Sequence, residues 1–252
     1  MGCSKFRRIE KSEDWRVKFE AGLNYYAKKD YYRAAILFEQ VQPIVRGLPE
    51  GEKVEFYLAY CQYYEKTYLL ASNQFKIFYE TYGRSSLAEE AVFMYAYSLY
   101  ASSPDSNLDQ QNSIDAMAAM QNFLNRYPES KFRDKAVAVI DESQVKLEKK
   151  GFENAKQYLK LRYYQAAVLA FDNFKKNFPD SKYLEEAAFL KVQSQFFLAE
   201  NSLPTKQYER YVSTLTYYQE LLDNFPNSLL LKDSQRYYTL SQAQINKLKP
   251  KN

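Results

Sequence analysis

YLKLRYYQAAVLAFDNFKKNFPDSKY, residues 158–183, carries the reading of the fold. Counting back from Pro179, Ala167 lies twelve residues upstream, Phe171 eight and Phe174 five. Steps of four and three put these side chains on one face of a helix. The small Ala lets a second helix approach closely, and the ring fills the next space. Pro179 has no N–H and disfavours α geometry at Phe178, so the helix stops there. Ser181 can then accept a hydrogen bond from an orphan N–H and start the following helix.

The same unit recurs on either side. Stops occur at TYGRSSL (81–87), RYPESKF (126–132), NFPDSKY (177–183) and NFPNSLL (224–230), so that Gly83, Pro128, Pro179 and Pro226 are spaced 45, 51 and 47 residues apart. Ser130 and Ser228 repeat Ser181, while Ser86 with Glu89 reads as a capping box. The offsets from each stop give Ala71, Phe75 and Phe78, then Ala116, Met120 and Phe123, and a weaker copy at Thr214, Tyr218 and Leu221. A first copy without the proline reads Ala34, Phe38 and Val41. Twelve residues before the small position lies another, Gly22, Ala59 or Ala155, followed three later by Tyr25, Gln62 or Tyr158. EEAVF (89–93) and EEAAF (185–189) are near-duplicates, and repeats three and five carry insertions around 102–110 and 199–207.

This is the tetratricopeptide pattern. It predicts an all-α protein, a right-handed superhelix of about five helix pairs with a C-terminal capping helix. The expected helices cover 13–28, 31–46, 52–65, 68–82, 86–101, 109–126, 131–149, 152–160, 163–177, 182–200, 206–224 and 229–247, with a fraying LKPKN tail. The expected organisation is a flexible tether over 1–12, repeats one to three over 13–128 and repeats four and five with the cap over 129–252.

Composition agrees. Six Gly and eight Pro in 252 residues are too few for a many-stranded sheet protein. The 35 Lys and Arg against 31 Asp and Glu are mixed along the chain without a basic run, which argues against nucleic acid as a partner. No apolar run approaches the roughly 18–20 residues needed to span a bilayer. Cys61 lies in the apolar stretch VEFYLAYCQYYEK and reads as a buried core thiol. Cys3 is different: Gly2-Cys3-Ser4 resembles the end of a bacterial lipobox, in which the Cys becomes the lipidated N-terminus. The apolar signal is expected to have been removed or to lie before a start placed late. N-myristoylation would want Ser or Thr where Phe6 stands.

The chain has no His, which removes the commonest general base and zinc ligand. No glycine-rich phosphate loop occurs, and Cys61 has no imidazole partner. The carboxylates Glu89-Glu90, Glu185-Glu186 and Asp14 read as solvated surface. The expectation is no enzyme, no cofactor and no metal.

Binding is expected on the first helix of each pair. Taking its small residue as reference, positions three before and one, four and five after should face a groove. Repeat one gives Phe19, Leu23, Tyr26 and Ala27; repeat two gives Phe56, Tyr60, Tyr63 and Tyr64; repeat three, referenced to Ala96, gives Phe93, Tyr97 and Tyr100. Such rings suit an extended peptide with aromatic side chains, although packing between repeats would use them equally well. Lys28, Lys29, Arg33, Lys53 and Lys66 lie nearby and could meet a carboxylate terminus or an acidic segment.

The aromatic-Pro-x-Ser-x-aromatic stops, the five repeats, the inserted third repeat and the Gly2-Cys3-Ser4 start together resemble the BamD family, outer-membrane assembly lipoproteins of the BAM complex. The likeness covers residues 13 to 247; it departs where VQPIVRGLPEG stands in place of an aromatic-Pro stop. It implies a periplasmic scaffold anchored through Cys3 to the outer membrane. It further implies that the N-terminal repeats engage the C-terminal targeting strand of unfolded outer-membrane barrel proteins and that repeats four and five, including Tyr163, Tyr164, Lys175 and Lys176, dock the barrel insertase BamA. The alternatives are another periplasmic tetratricopeptide adaptor, such as a pilus-secretin pilot or a cell-division coordinator, and an enzyme with an unrecognised site.

Overall fold

A computed structural model describes residues 2–248, with side chains from Lys5 onward. Cys3's side chain, and residues 249–252 where the tail was expected to fray, lie outside the described residues. All regular structure among the described residues is helical. In order, the helices are α1 (Gly2–Glu10), α2 (Trp15–Ala27), α3 (Tyr31–Val41), α4 (Pro49–Tyr64), α5 (Tyr68–Thr81), α6 (Ala88–Ser102), α7 (Gln111–Arg126), α8 (Arg133–Lys160), α9 (Tyr164–Asn177), α10 (Leu184–Glu200), α11 (Pro204–Asn224) and α12 (Leu231–Leu248). Consecutive helices pack on one another, as a helical repeat requires.

The repeat pattern is the core. Every small and apolar residue counted back from a stop is buried, from Ala34, Phe38 and Val41 to Thr214, Tyr218 and Leu221. Phe75 and Phe78 meet Phe56 and Ala59 in one cluster; Phe171 and Phe174 meet Phe152 and Ala155 in another. Cys61 is a free, buried thiol, and burial pushes it up to about 12.

The chain forms two compact units, Met1–Lys146 and Leu147–Asn252. The division falls inside α8. α8 is also one helix where two, 131–149 and 152–160, were expected. Gly151 stands at the expected break, but its φ is not positive. A Cβ there would stand 3.0 Å from Phe178 Cε2 and 3.3 Å from Phe174 Cδ2, so this glycine admits neighbouring rings rather than breaking the helix. The expected tether carries α1, because Phe6 is buried against the Tyr25 ring at 5.6 Å with the Arg33 guanidinium 5.5 Å above it.

The turns between paired helices are alike in repeats one, two and four. Lys29, Lys66 and Arg162 adopt φ of 61°, 63° and 62°. The next N–H in each case reaches back five residues: Asp30 to Tyr25, Thr67 to Gln62, Tyr163 to Tyr158, at 2.9 to 3.0 Å. These are left-handed C-terminal closures made without the usual glycine. The starting serines accept as expected: Phe132, Tyr183 and Leu230 N–H groups bond Ser130, Ser181 and Ser228. At α6 the equivalent is Ser85, which accepts from Leu87 N–H at 2.9 Å, and no side chain caps the helix at Leu87, so the Ser86 capping box is not formed.

The paired glutamates are not solvated surface. Ser130 donates to Glu89 at 2.6 Å and Ser228 to Glu185 at 2.5 Å, and Ser85 donates to Glu52. Glu90 accepts from Tyr60 at 2.5 Å, and Glu186 pairs with Lys156 at 3.2 Å. The first turn of a repeat's first helix is thus tied to the start of the next repeat on one side and to the previous first helix on the other. Asp14 accepts from Arg16 N–H at 2.9 Å and caps α2.

Candidate functional site

In unit 1 the first helices α2, α4 and α6 present tyrosines in register. Ring centroids connect Tyr31 to Tyr64 at 4.2 Å, Tyr64 to Tyr63 at 5.5 Å, Tyr63 to Tyr97 at 6.1 Å and Tyr97 to Tyr100 at 5.8 Å. Tyr26 joins at the first end, 5.5 Å from Tyr31 and 6.4 Å from Tyr64, and Tyr60 stacks on Tyr64 at 5.9 Å. The result is a continuous ribbon of rings across three helix pairs. Tyr64 is exposed; Tyr26, Tyr60, Tyr63, Tyr97 and Tyr100 are half-buried.

The three phenylalanines expected beside them are not part of it. Phe19, Phe56 and Phe93 are only 7, 4 and 3% exposed and belong to the core. Three residues before the reference, the side chain points between the paired helices: Phe56 lies 5.3 Å from Phe78, and Phe93 lies 5.6 Å from Phe123. Ring-to-ring spacing alone could not separate the two faces. Tyr31 and Tyr68, which open the second helices α3 and α5, were missed; Tyr68 lies 5.4 Å from Tyr63. Their signal was the Tyr-Tyr and Thr-Tyr pairs at the turn.

The hydroxyls divide into two sets. Tyr60 donates to Glu90 and Tyr100 to Glu142. Those of Tyr26, Tyr31, Tyr63, Tyr64 and Tyr97 meet no hydrogen-bond partner among the described residues and are not sealed from solvent. Burial pushes Tyr63 up to about 12, helped by the rings of Tyr97, Tyr68 and Tyr64. Burial first, then the bond to Glu90, raises Tyr60. Tyr100 is pushed up to about 12, chiefly by its bond to Glu142. Tyr60, Tyr63 and Tyr100 are neutral phenols at physiological pH, and each ring of the ribbon offers an apolar face and a polar tip.

In unit 2 the four residues expected to dock a partner do not come together. Tyr163 and Tyr164 lie at the start of α9, and Lys175 and Lys176 near its end, about 18 Å away at 1.5 Å per residue. Tyr163 is exposed, and Tyr164 stacks on Phe197 at 5.5 Å. Lys175 instead lines a cavity of about 210 Å³ with Phe171, Leu184, Ala187, Tyr217 and Phe225. Lys191 stands in that cavity, 12% exposed, bonded to Asp172 at 2.7 Å and Glu220 at 3.4 Å, with its ammonium 3.5 Å from the Tyr217 ring centre. Among the described residues no group of acidic or thiol ligands is placed to hold a metal.

Residues 12–209 match the model of a family described as YfiO, outer membrane lipoprotein. The chain belongs to that family. It is also 31% identical over 178 residues to the protein of Aquifex aeolicus (strain VF5) named putative outer membrane protein assembly factor BamD, a match covering 70% of this chain and 58% of that protein. The chain therefore spans less than two thirds of that relative's length. Members of this outer membrane lipoprotein family are non-enzymatic assembly factors. Membership associates the chain with the outer membrane, and no helix among the described residues is long and apolar enough to cross a membrane.

Besides Tyr31 and Tyr68, pattern reading missed the partners of two rings. Glu90 and Glu142 hold the Tyr60 and Tyr100 hydroxyls from neighbouring helices, 30 and 42 residues away in sequence. No local spacing rule connects them.

Proposed function

We propose that this protein is a lipid-anchored periplasmic scaffold of the outer-membrane β-barrel assembly machinery, held by Cys3, with unit 1 receiving unfolded barrel proteins and unit 2 docking the barrel insertase BamA through the region of Tyr163, Tyr164, Lys175 and Lys176. Within unit 1 the helix pairs wind in a right-handed sense, with α2, α4 and α6 on the inner wall.

The observation that carries this reading is the tyrosine ribbon. An extended chain places same-face side chains about 6.6 Å apart, two residues at ~3.3 Å each. The steps Tyr63–Tyr97 and Tyr97–Tyr100, at 6.1 and 5.8 Å, approach that repeat. A strand from a barrel alternates apolar and polar residues, so one of its faces supplies a ring or aliphatic chain at each step. The open phenol tips can bond its unpaired backbone. Flat rings with a polar tip tolerate many sequences, as a receptor for different barrel proteins must.

The test is binding of a synthetic peptide with alternating aromatic residues and an aromatic C-terminus to the full chain. Tyr63→Ala with Tyr97→Ala should weaken it by about tenfold to a hundredfold, at roughly 1–3 kcal/mol for truncated anchor rings, with the far-UV circular dichroism unchanged. Equal affinity for the wild type and the double variant would remove the ribbon from the function.

A further inference from the structure

The chain has no long basic run, yet its net charge is concentrated at α1. Residues 5–11, KFRRIEK, hold four of the 35 Lys and Arg and one of the 31 Asp and Glu, which is three of the net four positive charges. α1 covers all but Lys11, whose N–H still bonds the Arg7 carbonyl at 3.2 Å. The stretch precedes residues 12–209, where the family match lies.

α1 packs on α2 and α3, and its buried Phe6 ring, edge-on to Tyr25 and beneath the Arg33 guanidinium, fixes which way the other side chains face. Around the helix, Ile9 and Glu10 fall within about 60° of Phe6. Both are half-buried. Lys5, Arg7, Arg8 and Lys11 fall about 100° to 160° from Phe6. All four are exposed, and none meets a carboxylate among the described residues. The single acid of the stretch therefore lies on the inner side, and the outer face carries cations alone.

Resting on the reading of Cys3 as the lipid anchor, we propose that this face of α1 binds the phosphates of anionic phospholipids at the membrane surface. Cys3 stands two residues before Lys5 and eight before Lys11. At 1.5 Å per residue, acyl chains on Cys3 keep every one of these cations within about 12 Å of the headgroups, whatever the tilt of α1. The screening length in physiological salt is about 8 Å, so all four feel the surface charge, and with α1 laid flat all four touch it. The Phe6 contact passes this placement on to repeat one, which then rests against the bilayer instead of swinging on a leash. An acidic protein segment would also suit the charges, but the closeness to Cys3 favours the lipid.

The experiment floats the full chain, with no acyl group on Cys3, on two sets of vesicles in low salt. One set is an equal mixture of phosphatidylcholine and phosphatidylglycerol, and the other is phosphatidylcholine alone. Wild type should bind the anionic set only, and should let go in about 1 M salt, where the screening length is ~3 Å. Arg7→Gln with Arg8→Gln should weaken binding about tenfold to thirtyfold, the share of two surface cations, with the Trp15 emission unchanged. Arg7→Lys with Arg8→Lys should keep most of the binding. Lys135→Gln with Lys149→Gln removes two exposed charges beyond α1 and should leave it as it was. An equal loss in that pair overturns the inference, because net charge and not this face then attracts the vesicles. No binding of wild type to the anionic set overturns it too and leaves an acidic protein segment as the partner of the face. Cys3 found without acyl groups in chain extracted from membranes overturns the anchor reading alone.

Discussion

In unit 1 the residues one and four places after the small reference of each first helix are Leu23 and Tyr26, Tyr60 and Tyr63, Tyr97 and Tyr100; in unit 2 they are Lys156 and Leu159, then Gln193 and Phe196. The references themselves are alike: Gly22, Ala59, Ala96, Ala155 and Val192 are all buried. The fold therefore rests on the reference positions and leaves their neighbours free to differ. In unit 1 those neighbours become an open row of rings. In unit 2 Lys156 pairs with Glu186, Gln193 donates to Tyr237 at 2.6 Å, and Phe196 closes into a cluster with Tyr211 and Ile245. One helical scaffold thus carries a recognition surface in one unit and internal ties in the other.

The contrast holds only if the two units stabilise themselves separately. The single tryptophan, Trp15, lies in unit 1, so its fluorescence reports that unit while circular dichroism reports both. Phe75→Ala should cost unit 1 about 3–5 kcal/mol, the usual range for a large ring deleted from a tight core. In urea, the Trp15 transition should move well to lower denaturant. Phe171→Ala should cost unit 2 a similar amount and leave the Trp15 transition where it was. If Phe171→Ala shifts Trp15 equally, the chain unfolds as one body and the division is only geometric.

The buried pattern was legible because it depends on short spacings: a stop, a small residue and two rings at fixed offsets. Every such residue in the five copies is buried. The open surface was legible in part. All six tyrosines are half-buried or exposed, but Phe19, Phe56 and Phe93 were set beside them because a helical offset fixes direction only to within about one residue, 100° of rotation. The break expected between 149 and 152 is absent from α8, since a glycine that breaks a helix and one that admits a neighbouring ring look identical in sequence. The ties from Tyr60 to Glu90 and Tyr100 to Glu142 join separate helices, and no spacing within one helix announces them.

Alkaline pH should separate the units more gently. In unit 1 Tyr26, Tyr60, Tyr63, Tyr79, Tyr82 and Tyr100 are all raised above the ordinary 10.0, by burial in every case except Tyr100, where the bond to Glu142 comes first. In unit 2 only Tyr211 is raised among the phenols with a resolved shift. A raised phenol keeps its proton longer folded than unfolded, so the folded state binds more protons above pH 10. Its contribution is complete below pH 10 and is lost as pH climbs towards about 12. The Trp15 transition should fall to lower urea between pH 10 and 12, ahead of the remaining helical signal. A Trp15 midpoint that is flat over that window would mean the phenols are no better shielded in unit 1 than in the unfolded chain.

The smallest expected effect contrasts two glycines, one from each unit. Alanine in a helix is favoured over glycine by roughly 0.5–1 kcal/mol, so a glycine kept in mid-helix implies that a methyl would be unwelcome. At Gly22 a Cβ would lie 2.7 Å from Phe38 Cε1, and Phe38 is fully buried, so its ring has nowhere to go. Gly22→Ala should destabilise unit 1 by about 1–3 kcal/mol, as crowding of a closed core does. At Gly151 the nearest atom is Phe178 Cε2 at 3.0 Å, on a ring that is only half-buried and can turn outward. There the helix preference and the crowding should nearly cancel, leaving unit 2 within about 0.5 kcal/mol of wild type. A gain near 1 kcal/mol for Gly151→Ala would mean that the Phe178 ring imposes nothing, and that close approach is not why α8 carries a glycine at this point.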